Sequence, residues 1–147
     1  MTVKHISYIE DFTKWKEEFS FSTEISIRFS ETDMFGHVNN VSAFIYFEQA
    51  RIEFFKSIGL FTKLEEDTIP VVADLQCDYH NQLFFGETIK IFVKANLIKN
   101  STLDVHYMAV KPDGKICLTG RGNIVNVDTS TGKAVSLTNE QLQKLQK

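Results

Sequence analysis

Cysteine and proline are nearly absent, with two of each in 147 residues. Cys77 and Cys117 stand apart in strand-like stretches, with no CxxC spacing. Two such cysteines make neither a zinc site nor a disulfide framework, so both read as free, buried thiols in a reducing compartment. No stretch approaches the roughly 20 apolar residues of a membrane span. The opening MTVKHISYIEDF holds no apolar run of signal-peptide length. The Asn-x-Ser/Thr triplets at Asn40 and Asn100 are therefore expected to stay unglycosylated, and the chain is expected in the cytoplasm, off the membrane. Positive charge is scarce as well. The formal net charge is -3 and the lysines are scattered, which argues against nucleic acid as a partner and against a polybasic membrane patch. No repeat, low-complexity block or Gly/Ser linker divides the chain. One domain is expected over 1–147, a normal size for a single core, with residues 1–22 as an N-terminal extension.

What is present is hydrophobic periodicity of two kinds. Ile25, Ile27 and Phe29 alternate with Glu24, Ser26 and Arg28, the period of a strand. Before them, FTKWKEEF (12–19) fits either a short amphipathic helix or an irregular arm. Over 41–58 the period lengthens. Ala43, Phe47, Ala50, Phe54 and Ile58 form an apolar stripe that Val41, Phe44, Ile45, Ile52 and Phe55 widen. Ser42, Tyr46, Gln49, Glu53 and Lys56 form a polar one. So broad an apolar arc predicts a long, largely buried helix, stopped at Gly59. Strand alternation returns over 71–79, 88–97 and 102–109. KPDGK (111–115) reads as a tight hairpin turn before a last long strand over 116–127. Thr138 with Gln141 resembles a capping box opening a short C-terminal helix within 137–147. One strand, one buried helix and four strands on short connections predict an α+β fold, an antiparallel meander wrapped around the helix. The edges of such a sheet make a homodimer or homotetramer the expected assembly.

The decapeptide ETDMFGHVNN (31–40) joins the first strand to the helix. The first turn of a helix leaves backbone N–H groups unpaired and carries a partial positive charge, which suits a developing oxyanion. Asn39 or Asn40 is a good cap for that turn. Gly36 permits a sharp bend that brings Asp33 toward the helix start. A carboxylate beside an oxyanion site is a recipe for acyl transfer: the donor polarises a carbonyl, and the carboxylate attacks it or activates a water. A carboxylate of ordinary pKa, about 3.9, is a weak base at neutral pH. It suits a reactive thioester better than an amide.

RFSETDMFGHVNN followed by YFEQARIEFF, with a second and weaker block DLQCDYHNQLFFGETIKIFVK, resembles the hotdog-fold acyl-CoA thioesterases of the 4-hydroxybenzoyl-CoA thioesterase-like group. The resemblance runs from about Thr23 to Asp128. It implies a hotdog fold and hydrolysis of an acyl-CoA, or of an acyl-carrier-protein thioester, with coenzyme A as part of the substrate and neither cofactor nor metal. It places the catalytic carboxylate on Asp33, as nucleophile or general base, and the polarising helix-start amide on Asn40. Some relatives carry a histidine at Asn40 and many a tyrosine at Ala43. His37 and the Asn40 side chain are therefore alternative helpers, and Gly36 and Asn39 complete the positioning set. Glu48 and Arg51 are secondary candidates; their i,i+3 spacing reads first as an ion pair at a subunit interface and second as substrate orientation. Arg121, Lys94 and Lys99 are candidate contacts for coenzyme A phosphates. Asp74, Asp78, His80 and His37 lack the spacing of a metal site. Two rival readings remain: a hotdog dehydratase or isomerase that pairs His37 with a carboxylate, and a non-catalytic acyl-CoA-binding module.

Overall fold

Both periodicities end in one core. Strands β4 (Thr88–Lys99), β5 (Thr102–Val110) and β6 (Ile116–Asp128) turn Ile91, Val105, Tyr107 and Ile124 toward helix α2 (Ser42–Ile58), whose Ala43, Phe47, Ala50 and Phe54 are buried against them. Phe47 stacks on Tyr107 with centroids 4.5 Å apart and planes 12° from parallel. Truncating a phenylalanine so placed costs about 3–5 kcal/mol. The computed structural model describes residues 5–62 and 67–146. The first four residues of the N-terminal extension and Lys147 of the C-terminal segment lie outside the described residues.

The sheet is antiparallel, in the order β1 (Phe21–Ser26), β4, β5, β6, β2 (Thr68–Val72), with β3 (Gln76–Tyr79) also paired to β6, and it wraps α2 as a hotdog fold does. Only β4–β5–β6 form the expected meander. The segment 71–79 breaks into β2 and β3, and both pair with β6 rather than with β4. The reason is that β1 already occupies the free edge of β4. The connection 80–87 must therefore cross back from the far edge over three strand spacings, about 14 Å.

Four local expectations change. Strand β1 ends at Ser26, and Phe29 lies in a 3-10 turn (Phe29–Glu31), exposed rather than inward. The turn forms because the Arg28 N–H donates to the Glu31 carboxylate at 2.9 Å. In β4 a bulge between Ala95 and Leu97 shifts the register, so Ile98 packs on the core while Leu97 faces out. On α2, Ser42 and Tyr46 of the polar stripe are buried, whereas Val41, Ile45 and Ile52 are exposed. Both hydroxyls have buried partners, which offsets the cost of their burial. Cys77 is half-buried and Cys117 buried, and neither is in a disulfide.

Of the alternatives for 12–19, the helix is realised as α1 (Phe12–Glu17), which lies on the outer face of the sheet. Trp15 donates its indole N–H to His106 Nδ1 at 2.8 Å, and His106 Nε2 lies 2.8 Å from Asp104. With Nδ1 accepting, the ring proton sits on Nε2 and points at the carboxylate. Arg121 donates to the other Asp104 oxygen at 2.8 Å. Lys94 donates to the Trp15 carbonyl and pairs with Glu18. At the other end, Thr138 and Gln141 cap α3 (Asn139–Leu145) reciprocally.

Two stability effects follow. A methyl group at Gly122 would overlap the Asp74 carbonyl oxygen, in the backbone link between β2 and β3. Gly122→Ala should cost about 1–3 kcal/mol and lower the melting temperature by roughly 2–8 °C, read by circular dichroism; an unchanged melt would contradict the close packing. Burial pushes the Asp104 carboxyl up, but hydrogen bonds from His106 and Arg121 outweigh it and hold the group below its ordinary value. Its stabilisation is present above the unfolded carboxylate pKa, about 3.9, and fades as pH falls through the lower folded value. The melting-temperature gap between wild type and Asp104→Asn should therefore be widest near neutrality and close on acidification.

Candidate active site

The loop between β1 and α2 is held by its own polar groups. Glu31 is buried, and its carboxylate is fully engaged. Oε1 accepts from the Arg28 N–H and the Tyr46 hydroxyl, each at 2.9 Å. Oε2 accepts from Arg28 Nε at 3.1 Å and Nη2 at 2.8 Å. Burial raises the Glu31 pKa, but the hydrogen bonds from Arg28 and Tyr46 outweigh it and leave the carboxyl below its ordinary value. The Glu31 carbonyl accepts from the Asn39 N–H at 2.8 Å and from Ser42 Oγ at 3.1 Å.

Between those anchors the chain folds on itself. Asp33 Oδ1 accepts from the N–H groups of Phe35 at 2.9 Å and His37 at 3.3 Å, while Oδ2 has no partner among the described residues. The Asp33 N–H donates to the His37 carbonyl at 2.7 Å. Gly36 has φ +81°, a conformation side chains disfavour, which lets the loop reverse here. The N-cap of α2 is Val41, with no side-chain cap bond, so neither asparagine caps the helix; Asn39 Oδ1 instead accepts from the Val41 N–H at 2.9 Å in the turn before it. The Asn40 side chain caps nothing, and its backbone N–H meets no acceptor among the described residues.

The crossing connection docks against this loop. The Val38 N–H donates to the Leu83 carbonyl at 2.7 Å, and His37 bridges to Phe84. Tyr79, at the end of β3, donates its hydroxyl to the Asn40 carbonyl. Burial pushes the Tyr79 phenol up to about 12, so it stays a neutral donor near neutrality. The two segments enclose a cavity of about 450 Å³ lined by Asp33, His37, Val38 and Asn40 on one side and by residues 79–83 with Leu118 on the other.

The structure thus brings Asp33, His37 and Asn40 to one cavity, while Gly36 and Asn39 belong to the same loop but do not line it. The His37 ring packs edge-on against Phe84 at 5.0 Å, and no carboxylate meets that ring among the described residues. Glu48 and Arg51 are elsewhere, on a separate cavity of about 270 Å³. Arg51 is buried and donates to the Tyr107 hydroxyl at 3.1 Å; the exposed Glu48 carboxylate is 4.0 Å away, a weak pair. Arg121 and Lys94 are committed to ion pairs on the outer face, and Lys99 is exposed at the end of β4. Asp74 accepts from Asn123 and Arg121, and His80 Nε2 lies 2.8 Å from Thr119 Oγ1. Among the described residues no group of three or more His, Cys, Asp or Glu is placed to hold a metal ion.

Sequence reasoning passed over Glu31, Tyr46 and Tyr79. For Glu31 the signal was its i,i+3 spacing from Arg28. Nothing local marked Tyr79, whose partner lies 39 residues away.

A family model described as the Thioesterase-like superfamily matches residues 27–145. The uncharacterized protein YsmA of Bacillus subtilis (strain 168) is 44% identical over 140 residues, 95% of each chain. The long-chain acyl-CoA thioesterase FadM of Escherichia coli (strain K12) is 23% identical over 126 residues, 84% of this chain and 96% of FadM. A solved structure from Bacillus stearothermophilus, described as a predicted thioesterase, aligns with a TM-score of 0.78 at 29% identity, covering 86% of this chain and 93% of the other. The family match takes in α2, strands β2 to β6 and the cavity: the chain belongs to the thioesterase-like superfamily and is by class a thioester hydrolase.

Proposed function

We propose that the protein hydrolyses an acyl-CoA thioester to the free acid and coenzyme A, with Asp33 as the catalytic carboxylate and the Asn40 amide as the oxyanion donor. One observation carries the reading. A carboxylate oxygen and a backbone N–H, each without a partner among the described residues, belong to residues lining the same cavity. The thioester oxygen accepts from the Asn40 N–H, and the partial charge of the α2 start favours the oxyanion that develops there. One such donor is worth about 2.7–4 kcal/mol. Asp33 then acts in one of two ways. As nucleophile, its free oxygen attacks the carbonyl carbon and expels the coenzyme A thiolate, leaving a mixed anhydride that water opens. As general base, it takes a proton from the water that attacks. The Asx turn to Phe35 and His37 holds one oxygen and leaves the other available. FadM, a long-chain acyl-CoA thioesterase by name, supports acyl-CoA as the substrate class. No observation favours dehydration, since the His37 ring lacks a carboxylate partner among the described residues.

We propose further that the working form is a homo-oligomer, dimer or tetramer. Val41, Ile45 and Ile52 are exposed along α2, and adjacent Val71 and Val72 expose both faces of strand β2. Unpaired apolar edges of this kind are ordinarily covered by a second chain.

Thiol release from a panel of acyl-CoA and acyl-carrier-protein thioesters tests the first proposal. Asp33→Asn should lower kcat by about 10²-fold or more. Full activity in that variant would sink the mechanism, and tight binding with no turnover by wild type would move the protein to a binding role. Light scattering tests the second: the expected mass is a multiple of 16.9 kDa, and a single-chain mass refutes it.

A further inference from the structure

We propose that Glu31 is a positioning residue for this reaction: its buried carboxylate clamps the Asp33 loop to helix α2 and thereby sets Asp33 against the Asn40 amide. The inference rests on the hydrolase reading above. The Asp33 side chain bonds only to its own loop, through the Phe35 and His37 N–H groups. Nothing on that side chain ties it to α2, so its place relative to the helix is decided at the ends of the loop. Glu31 acts at both ends. Its carboxylate gathers the Arg28 N–H and guanidinium on the β1 side. On the α2 side it takes the Tyr46 hydroxyl, while its carbonyl takes the Asn39 N–H and Ser42 Oγ. Ser42 and Tyr46 are four residues apart, so they present one face of the helix to the same residue. The Asn40 N–H belongs to the peptide joining Asn39 to Asn40, and Asn39 and Ser42 flank that peptide as held points.

Glu31 does not itself line the cavity. Its oxygens already accept four bonds, which leaves it no capacity to serve as base. The Arg28 side chain is largely exposed, and an ion pair screened by solvent on one side is a poor source of net stability. What it does supply is directional: donors from the turn after β1 and from α2 converge on two oxygens and fix the angle between the elements that carry Asp33 and Asn40.

The test uses the full chain and steady-state thiol release with an acyl-CoA that wild type turns over, below the melting transition of each variant. Glu31→Gln keeps the shape and loses the charge. Tyr46→Phe keeps the core ring and removes one donor. Glu31→Gln should lower kcat by about ten- to a hundredfold, with KM within about twofold of wild type. Tyr46→Phe should show a smaller loss of the same kind. In an Asp33→Asn background, Glu31→Gln should add little, because both changes act on one constellation. A merely structural role predicts the reverse: losses that follow the unfolded fraction, vanish below the melt and multiply with Asp33→Asn. Wild-type kcat in both single variants, or multiplicative losses, overturns the proposal while an inactive Asp33→Asn keeps the hydrolase reading. Full activity of Asp33→Asn overturns both. If Glu31→Gln fails to fold, the kcat of Tyr46→Phe and its coupling to Asp33→Asn decide alone.

Discussion

The aromatic stripe of α2 has to lie flat on the sheet, and the rest of the molecule is arranged around that contact. Phe47 stacks on Tyr107 from β5, and Gly120 of β6 leaves the space its ring occupies. A methyl group there would overlap that ring. Once the helix is seated, its first turn has a fixed position over the sheet, and the loop that feeds it can be built against rigid elements. A site on such a loop is as precise as the anchors at its ends.

The cavity is a by-product of strand order. Because β1 takes the free edge of β4, the chain after β3 must return across the sheet, and that return forms one wall of the site. The return is pinned to the opposite wall by the Val38–Leu83 hydrogen bond and by Tyr79 reaching the Asn40 carbonyl. On the outer face a chain of ion pairs and hydrogen bonds through Asp74, Arg121, Asp104 and the neutral His106 ends at Trp15 and fastens the N-terminal arm. The charges read as candidates for phosphate contacts are occupied by this work, which is why Arg121 and Lys94 do not reach the cavity.

Much of this was legible along the chain. The 3.6 period announced α2, the two-residue period announced β4 and β5, and KPDGK announced the hairpin to the last long strand, β6. Asp33, His37 and Asn40 were readable as neighbours because one short loop carries all three. The errors share a cause. Tyr46 was placed on the polar stripe, yet it is buried and its hydroxyl has a buried carboxylate partner. Phe29 was carried inward by extending an alternation that the Arg28–Glu31 turn interrupts. Leu97 was carried inward past a bulge that period counting does not register.

The sequence by itself determined the elements, the wrapped α+β class and the loop with its chemical residues, because periodicity and turn chemistry belong to residues close together in the chain. Only the tertiary structure decided where 71–79 pairs, which helix face is buried and what holds the site in place. Those outcomes depend on meetings between distant residues: Tyr46 with Glu31 across 15 positions, Tyr79 with Asn40 across 39. They depend also on β1 occupying the edge of β4, which leaves β2 and β3 to pair with β6.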